Sequence, residues 1–210
     1  MSITLSHAHE SLMARASKAI RSGGVVIVPT ETFYGLAADP FQEAAVERIF
    51  SIKSREHDKP LPLIAASIES VARLVEPPDA QIATLMEAFW PGSLTLLLRP
   101  IPPLPHLLMG QGGKIGVRVP PPCPARTLAE RSGGWITATS ANLSRDPNPR
   151  EISQIDPTVV AAVDLVVDLG PSPGGLPSTV VDCEGSSLRI LREGAVPESK
   201  LLQVLTATGH

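Results

Sequence analysis

Proline and glycine cut this chain into short pieces, and that division limits what it can fold into more than any other feature. Of its 210 residues, 22 are proline and 16 glycine, and the prolines gather at Pro77-Pro78, between Pro100 and Pro105, and between Pro120 and Pro124. Proline fixes φ and has no amide donor, so it stops helices and stays out of central strands. The largely apolar runs between these stops, such as Val25–Val28 and Leu94–Leu98, are strand-sized. They fall well short of the ~20 residues needed to cross a bilayer. No membrane span is expected, and the tight clustering marks loops between elements rather than a disordered tract.

Between the stops, helical and strand spacing alternate. Leu12, Ala16, Ala19 and Ile20 predict a helix ending at Gly23-Gly24, Val25–Val28 a buried strand, and Thr30 to Gly35 a polar turn. The stripe Val46, Ile49, Phe50 predicts a helix that runs out near Lys53. Leu61–Ala66 reads as a strand in which Pro62 marks either an edge or a start. Helices are expected over Ile68–Val75, Gln81–Phe89, Ala125–Arg131, Thr158–Val163 and Glu198–Leu205. Strands are expected over Leu94–Arg99, Ile115–Val119, Ile136–Thr139 and Leu165–Val167, with a hairpin of Thr179–Asp182 and Leu188–Leu191 turning at Glu184-Gly185-Ser186. The alternation plus the final hairpin predicts one α/β (α+β) domain over residues 1–210, a twisted mixed sheet layered with helices.

The net charge of -3 argues against a protein that coats nucleic acid through bulk positive charge. The cations are concentrated, however. Arg48, Lys53, Arg55 and Lys59 lie close together, and Arg118 and Arg192 each sit in a strand-like segment, a distribution suited to a small anion. Met1–Glu10 shows no basic start followed by an apolar stretch, so no signal peptide is expected. Cys123 and Cys183 form no CxxC and read as two thiols in a reducing compartment, which places the chain in the cytoplasm.

Four segments could carry chemistry, and each has a plainer reading. Lys53-Ser54-Arg55 would aim two cations at one point if the helix has ended and the backbone is extended; it could equally be a solvated helix end. Thr137 to Ser144, hydroxyl- and amide-rich after an apolar strand, suits phosphate oxygens beyond a strand end or ordinary capping. Pro29-Thr30-Glu31-Thr32 follows a buried strand in the same way, as a ligand loop or a capped turn. The loop Gly170–Pro177 before Ser178-Thr179 is either a lid or a crossover. Gly110 to Lys114 lacks P-loop spacing, no G-x-S-x-G is present, and Asp182 alternates with apolar neighbours as an outward-facing position would. No general acid–base pair is evident, so any chemistry would run on positioning and charge stabilisation.

In their order along the chain, these segments resemble the YrdC/YciO family. Pro29-Thr-Glu-Thr-Phe-Tyr-Gly-Leu36, Ile49-Phe-Ser-Ile-Lys53-Ser-Arg55 and Asp58-Lys-Pro-Leu61 open the match. Trp90-Pro-Gly-Ser-Leu-Thr95, Val117-Arg118-Val-Pro120, Ser140-Ala-Asn-Leu-Ser144, Ser178-Thr-Val-Val-Asp182 and Leu191-Arg192 continue it over about residues 20–205. The KxR and SxN pairs are the family's signature.

The resemblance implies a YrdC-like fold with a large basic concavity and a threonylcarbamoyl-AMP synthase. Such an enzyme is a nucleotidyltransferase that joins L-threonine, bicarbonate and ATP, with Mg2+ bridging the phosphates, and releases pyrophosphate. Its product serves the adenosine at position 37 of tRNAs that read ANN codons. The resemblance puts Arg55, Lys59, Ser140 and Arg192 on the nucleotide, with Lys53 and Asn142 lining the same phosphate region and Lys53 and Arg55 as the catalytic pair. Thr32, Arg118 and Ser178 match threonine-holding positions, while Lys114 and Asn148 align less closely with nucleotide contacts. Lys59 stands where many members carry Asn, Ile64 where some carry a threonine-contacting His, and Glu193 where proline is frequent. Ending at His210, the chain is expected to be a minimal single-domain form. Weak RNA or tRNA binding and contact with threonylcarbamoyl transferase proteins are the implied partners. The alternative is a YciO-like paralogue that binds nucleotide or RNA without making the adenylate. A carbamoyl-transfer role like the YrdC-like domain of hydrogenase-maturation proteins fits less well, since the acylphosphatase-like and zinc-finger segments are missing.

Overall fold

The computed structural model describes residues 7–144, 146–184, 187–207 and 209. Residues 1–6, the start of the stretch judged free of a signal peptide, lie outside the described residues. So do Gly185 and Ser186 of the expected hairpin turn. In chain order the elements are α1 (His7–Arg21), β1 (Val26–Pro29), β2 (Tyr34–Ala37), α2 (Glu43–Lys53), β3 (Leu63–Ala65), α3 (Ile68–Leu74), α4 (Ala80–Phe89) and β4 (Leu94–Leu98). They continue as β5 (Ile115–Arg118), α5 (Pro124–Arg131), β6 (Trp135–Thr137), β7 (Thr139–Ser140), α6 (Pro157–Ala161), β8 (Leu165–Val166), β9 (Thr179–Glu184), β10 (Ser187–Arg192) and α7 (Glu198–Ala207).

The mixed α/β class predicted from the alternation is the one found, but the strands form two sheets. Four strands run in the order β7-β2-β1-β8 and six in the order β10-β9-β4-β5-β3-β6. Both sheets are mixed. In the smaller, β1 pairs antiparallel with β2 and parallel with β8. In the larger, β3 runs parallel to β5 and antiparallel to β6. Because β3 begins directly after Pro62 and has a partner on each side, that proline marks a strand start and not an edge.

Burial on both sides explains the unbroken apolar runs. Val25 and Ile27 point into one hydrophobic cluster, Val26 and Val28 into a second. Leu63 and Ala65 are likewise split from Ile64 and Ala66. Strand side chains alternate between faces, so a strand covered on both faces has no polar position to reveal its period. Helices α1 and α5 cover the second cluster with Met13, Ala16, Ile20, Ala125, Leu128 and Ala129. Helices α2, α3, α4 and α7 close the first with residues such as Ile49, Val71, Leu85 and Leu201.

Two departures from expectation matter for the site. The segment Thr30 to Gly35 is not all turn, since Tyr34 and Gly35 already belong to β2. The single strand expected over Ile136–Thr139 breaks at Ala138. Its first part, β6, pairs with β3 in the larger sheet, and its second, β7, pairs with β2 in the smaller. The chain thus passes from one sheet to the other within four residues. Ala138 donates its amide to Pro62 O at 2.8 Å, and the Thr137 hydroxyl accepts from Ala38 N at 2.9 Å. These bonds tie the two sheets together at the break.

Candidate active site

A cleft of about 190 Å3 opens where the sheets meet. Its lining draws on both of them, including Val28, Tyr34 and Leu36 from the smaller sheet and Pro62, Ile64 and Ile136 from beside the larger. Thr30, Thr32, Ser140 and Ser178 add hydroxyls, Asn148 an amide, and Arg55, Arg118 and Arg192 three guanidinium groups.

Each polar group is held by a local device. The four residues between β1 and β2 form a closed turn. Thr30 N donates to Phe33 O at 3.0 Å, while the Thr30 hydroxyl accepts from the amides of Thr32 and Phe33 at 3.1 and 3.2 Å. This turn presents Thr32 to the cleft. Ser140 is placed by pairing with Gly35 across β7 and β2. A Cβ on Gly35 would lie 3.0 Å from Thr139 O, so a side chain there would push against the neighbouring strand that carries Ser140. Arg192 follows a register shift after Ile190 in β10, a bulge of the kind that re-aims side chains at sheet rims. It donates to Ser178 O at 2.8 Å and to the Ser178 hydroxyl at 3.1 Å, and that hydroxyl also meets Thr95 Oγ1 at 2.9 Å.

The Lys53-Ser54-Arg55 segment is neither helical nor extended. Helix α2 ends in a left-handed Ser54 (φ 47, ψ 45) whose cap bonds return to Phe50 O and Ser51 O. That single left-handed residue sends the two cations to different places. Arg55 turns to the cleft, donating to Lys59 O at 2.7 Å and Pro60 O at 3.1 Å, with its guanidinium 5.9 Å over the Phe50 ring. Lys53 turns inward and is 2% exposed. Its ammonium donates to Ser140 O and Asn142 O, both at 2.5 Å, and to Asn142 Oδ1 at 3.0 Å. Its own carbonyl accepts from Ser144 N and Ser144 Oγ at 3.1 and 3.0 Å. The two signature pairs do meet, then, but Lys53 and Asn142 bond to each other behind Ser140 rather than facing the cleft. Burial first, and the neighbouring Arg55 charge second, bring the Lys53 pKa down to about 7.

The electrostatics of the cleft favour an anion. Burial and then the charge of Arg192 lower the pKa of Arg55, and burial and then Arg118 lower that of Arg192. Arg55 and Arg192, whose charged forms are disfavoured, gain from a ligand carrying several negative charges. Arg118, at the end of β5, forms an ion pair with Glu31, and both side chains are about one-tenth exposed.

Other expected residues stand elsewhere. Lys59 is half-exposed and ion-paired with Glu56, outside the cleft lining. Lys114 is also outside it, buried at the rim of a second cavity with its ammonium 2.6 Å from Asp182 Oδ1 and 3.1 Å from Cys183 O. Asp182 is therefore not outward-facing. It is 6% exposed because it carries the counter-ion for Lys114, and it also accepts from Arg189 at 2.9 Å. The Gly170–Pro177 loop is tied to the site: Tyr34 Oη donates to Gly170 O at 2.7 Å, and Gly174 N to Thr32 O at 2.7 Å. Glu31, outside the cleft lining but ion-paired with Arg118, was left without a role by sequence reasoning, although it stood inside the motif that pointed to the turn. Among the described residues no group of three or more His, Cys, Asp or Glu side chains could hold a metal ion, and no helix is long and apolar enough to cross a membrane.

Comparison with known proteins gives a consistent result. A family model for the Sua5/YciO/YrdC proteins, described as telomere recombination, matches residues 18–194. A threonylcarbamoyl-AMP synthase of Pyrococcus abyssi is 35% identical over 186 residues, which cover 89% of this chain and 55% of that protein. The structure of P. abyssi Sua5 complexed with L-threonine superposes with a TM-score of 0.83 at 34% identity, covering 92% of this chain and 57% of that one. The E. coli YciO structure superposes with a TM-score of 0.76 at 24% identity, covering 91% and 93%, a likeness that concerns the fold alone. The chain spans a little over half the length of the first two curated relatives it matches.

Proposed function

This chain belongs to the Sua5/YciO/YrdC family, and from that premise we propose that it is a threonylcarbamoyl-AMP synthase. The reaction consumes L-threonine, bicarbonate and Mg–ATP. Threonine is N-carboxylated, the new carboxylate oxygen attacks the α-phosphorus of ATP, and the bond to the departing pyrophosphate breaks. The observation that carries this reading is the meeting of Arg55, Arg118 and Arg192 with the hydroxyls of Thr30, Thr32, Ser140 and Ser178 in one cleft at the seam of two sheets. A triphosphate beside a carboxylated amino acid is a ligand that needs such a charge density.

In this reading Arg55, Ser140 and Arg192 take the nucleotide, and Thr32, Arg118 and Ser178 take threonine. Arg118 offers a planar fork to the amino-acid carboxylate, while the Thr32 and Ser178 hydroxyls can pair with the substrate hydroxyl or carbamate oxygens. Lys53 and Asn142 serve by fixing the segment that carries Ser140. Lys59 reaches the nucleotide only by leaving Glu56. Magnesium would arrive as the counter-ion of ATP, largely water-held, because no carboxylate cluster is present among the described residues. Catalysis then rests on positioning and on stabilising charge as it develops on the phosphate, as a nucleotidyltransferase requires. The adenylate passes to tRNA-modifying transferase proteins, which sets the work in the cytoplasm beside the tRNA pool. RNA contact, if made, is weak in a chain of net charge -3.

The test is pyrophosphate release by purified protein given Mg–ATP, bicarbonate and threonine. Release that requires threonine, and that falls about 100-fold in Arg55→Ala, is the expected outcome, since one donor to the reacting phosphate contributes ~3 kcal/mol. ATP binding without threonine-dependent release would refute the synthase reading and leave a nucleotide-binding paralogue.

A further inference from the structure

The threonine end of the cleft raises a problem of charge. An amino acid enters as a zwitterion, and the titratable groups lining the cleft are Arg55, Arg118, Arg192 and Tyr34. Three cations welcome the carboxylate and repel the α-ammonium. A site for a free amino acid therefore needs an anionic acceptor close to the fork that takes the carboxylate.

Glu31 meets that need. It does not itself line the cleft, but it sits at the tip of the turn between β1 and β2, flanked by Thr30 and Thr32 and bonded to Arg118, all three of which do. Its Oε1 accepts from Arg118 Nη1, and among the described residues its Oε2 has only the Cys123 thiol, at 3.8 Å, beside it. The thiol is a weak donor, so one carboxylate oxygen is left with capacity to accept. The pair is nearly buried, at 10% and 11% side-chain exposure, so little water competes for that oxygen. Arg118 in turn keeps donors beyond the one given to Glu31, because its guanidinium has five. A neutral Arg118–Glu31 pair with a spare donor edge and a spare acceptor oxygen complements a zwitterion. Asp168 also touches a cleft residue, but it is exposed and reaches the cleft only through Tyr34 Oη, at 3.3 Å.

We infer that Glu31 is a specificity-determining residue that accepts the α-ammonium of the incoming amino acid while Arg118 holds its carboxylate. The inference rests on the synthase reading above and adds to it the group that separates an α-amino acid from any other hydroxy acid.

The experiment is titration calorimetry of the full chain with L-threonine and with 3-hydroxybutanoate, which is threonine without its amino group, on wild type and Glu31→Gln. Glutamine keeps the shape and an acceptor for Arg118 but loses the charge. The expected result is at least a tenfold loss of threonine affinity in the variant, with 3-hydroxybutanoate bound equally by both proteins. An equal loss for both ligands would overturn the inference, because Glu31 would then act only by orienting Arg118. Tighter binding of both would overturn it too, showing that Glu31 occupies the fork in competition with substrate. If Glu31→Gln does not fold, the wild type decides alone: threonine bound at least tenfold tighter than 3-hydroxybutanoate supports the inference, and equal affinities refute it. Wild type that binds no threonine and releases no pyrophosphate removes the synthase reading itself, an outcome separate from the others.

Discussion

Lys53 and Lys114 are two buried lysines of one small protein, 2% and 7% exposed, yet they are held in opposite ways. Lys114 has a carboxylate, Asp182, at 2.6 Å, and that carboxylate is shared with Arg189. Among the described residues Lys53 has three neutral oxygens and no carboxylate at bonding distance, although the charge of Asp146 acts on it from further off. Burial of a charge is tolerated when a counter-ion is present and otherwise shifts the protonation equilibrium. Lys114 braces β9 and the segment before β5, away from the cleft. Lys53, brought down to about pKa 7, lies one bond behind Ser140 and fixes the cleft wall. Burial alone therefore does not separate the two lysines. Lys53 differs in being buried without a bonded counter-ion, next to Ser140, which lines the cleft.

Breaking the paired lysine should cost the most stability. Asp182→Ala leaves Lys114 buried without its partner and should lower unfolding stability by about 3–5 kcal/mol, measured by urea denaturation. Nucleotide affinity should be unchanged at a temperature where the variant is folded. Lys53→Met should give the reverse balance. It strands the Asn142 and Ser140 oxygens, with a stability cost of about 1–3 kcal/mol, and displaces Ser140. Nucleotide affinity by calorimetry should then fall at least tenfold while Asp182→Ala holds it, and a Lys53→Met protein with intact affinity would erase the contrast.

The two sites should also respond to pH in separate windows, with stability rising with pH through each. Burial raises the Asp182 pKa, but hydrogen bonds from Lys114 and Arg189, aided by their charges, outweigh it and hold the group below its ordinary value. Its stabilisation is thus present above the unfolded pKa and is lost as pH falls through the lower folded one, below about pH 4. For Lys53 the folded pKa, about 7, lies below the unfolded one, so between these values the unfolded chain binds more protons. Stability then rises with pH from about 7 towards 10 through this group. The difference between wild type and Lys53→Met in urea midpoint, followed across that range, should show the rise; a flat difference would rule out a strongly depressed Lys53. The smallest effect belongs to Lys59→Ala. Its exposed pair with Glu56 should contribute under about 0.5 kcal/mol, and a larger loss in denaturation would mean that Lys59 has a partner other than Glu56.

Much of the site was legible because its pieces follow chain order. The helix ending at Lys53, the buried strand before Thr30 and the strand before Ser140 could be read from period and punctuation. Others could not be read. Tyr34 and Gly35 looked like turn because a strand of four residues shows too little of its period to separate from a loop. Ile136–Thr139 looked like one strand because a change of partner at Ala138 leaves no mark on apolar spacing. Asp182 looked outward because alternation reports two faces and not which of them holds a counter-ion.

The order of elements, the mixed α/β class and the two motif pairs, KxR and SxN, could all be read along the chain. These rest on local physics: backbone geometry, apolar period and the stops made by proline and glycine. Only the tertiary structure decided that one cation of the first pair faces the cleft and the other faces away. A single left-handed residue, Ser54, separates them, and which of the two finds a ligand and which finds Asn142 depends on a loop almost ninety residues further along the chain. Contacts at that separation are set by how the sheets pack together, which no local pattern of residues records.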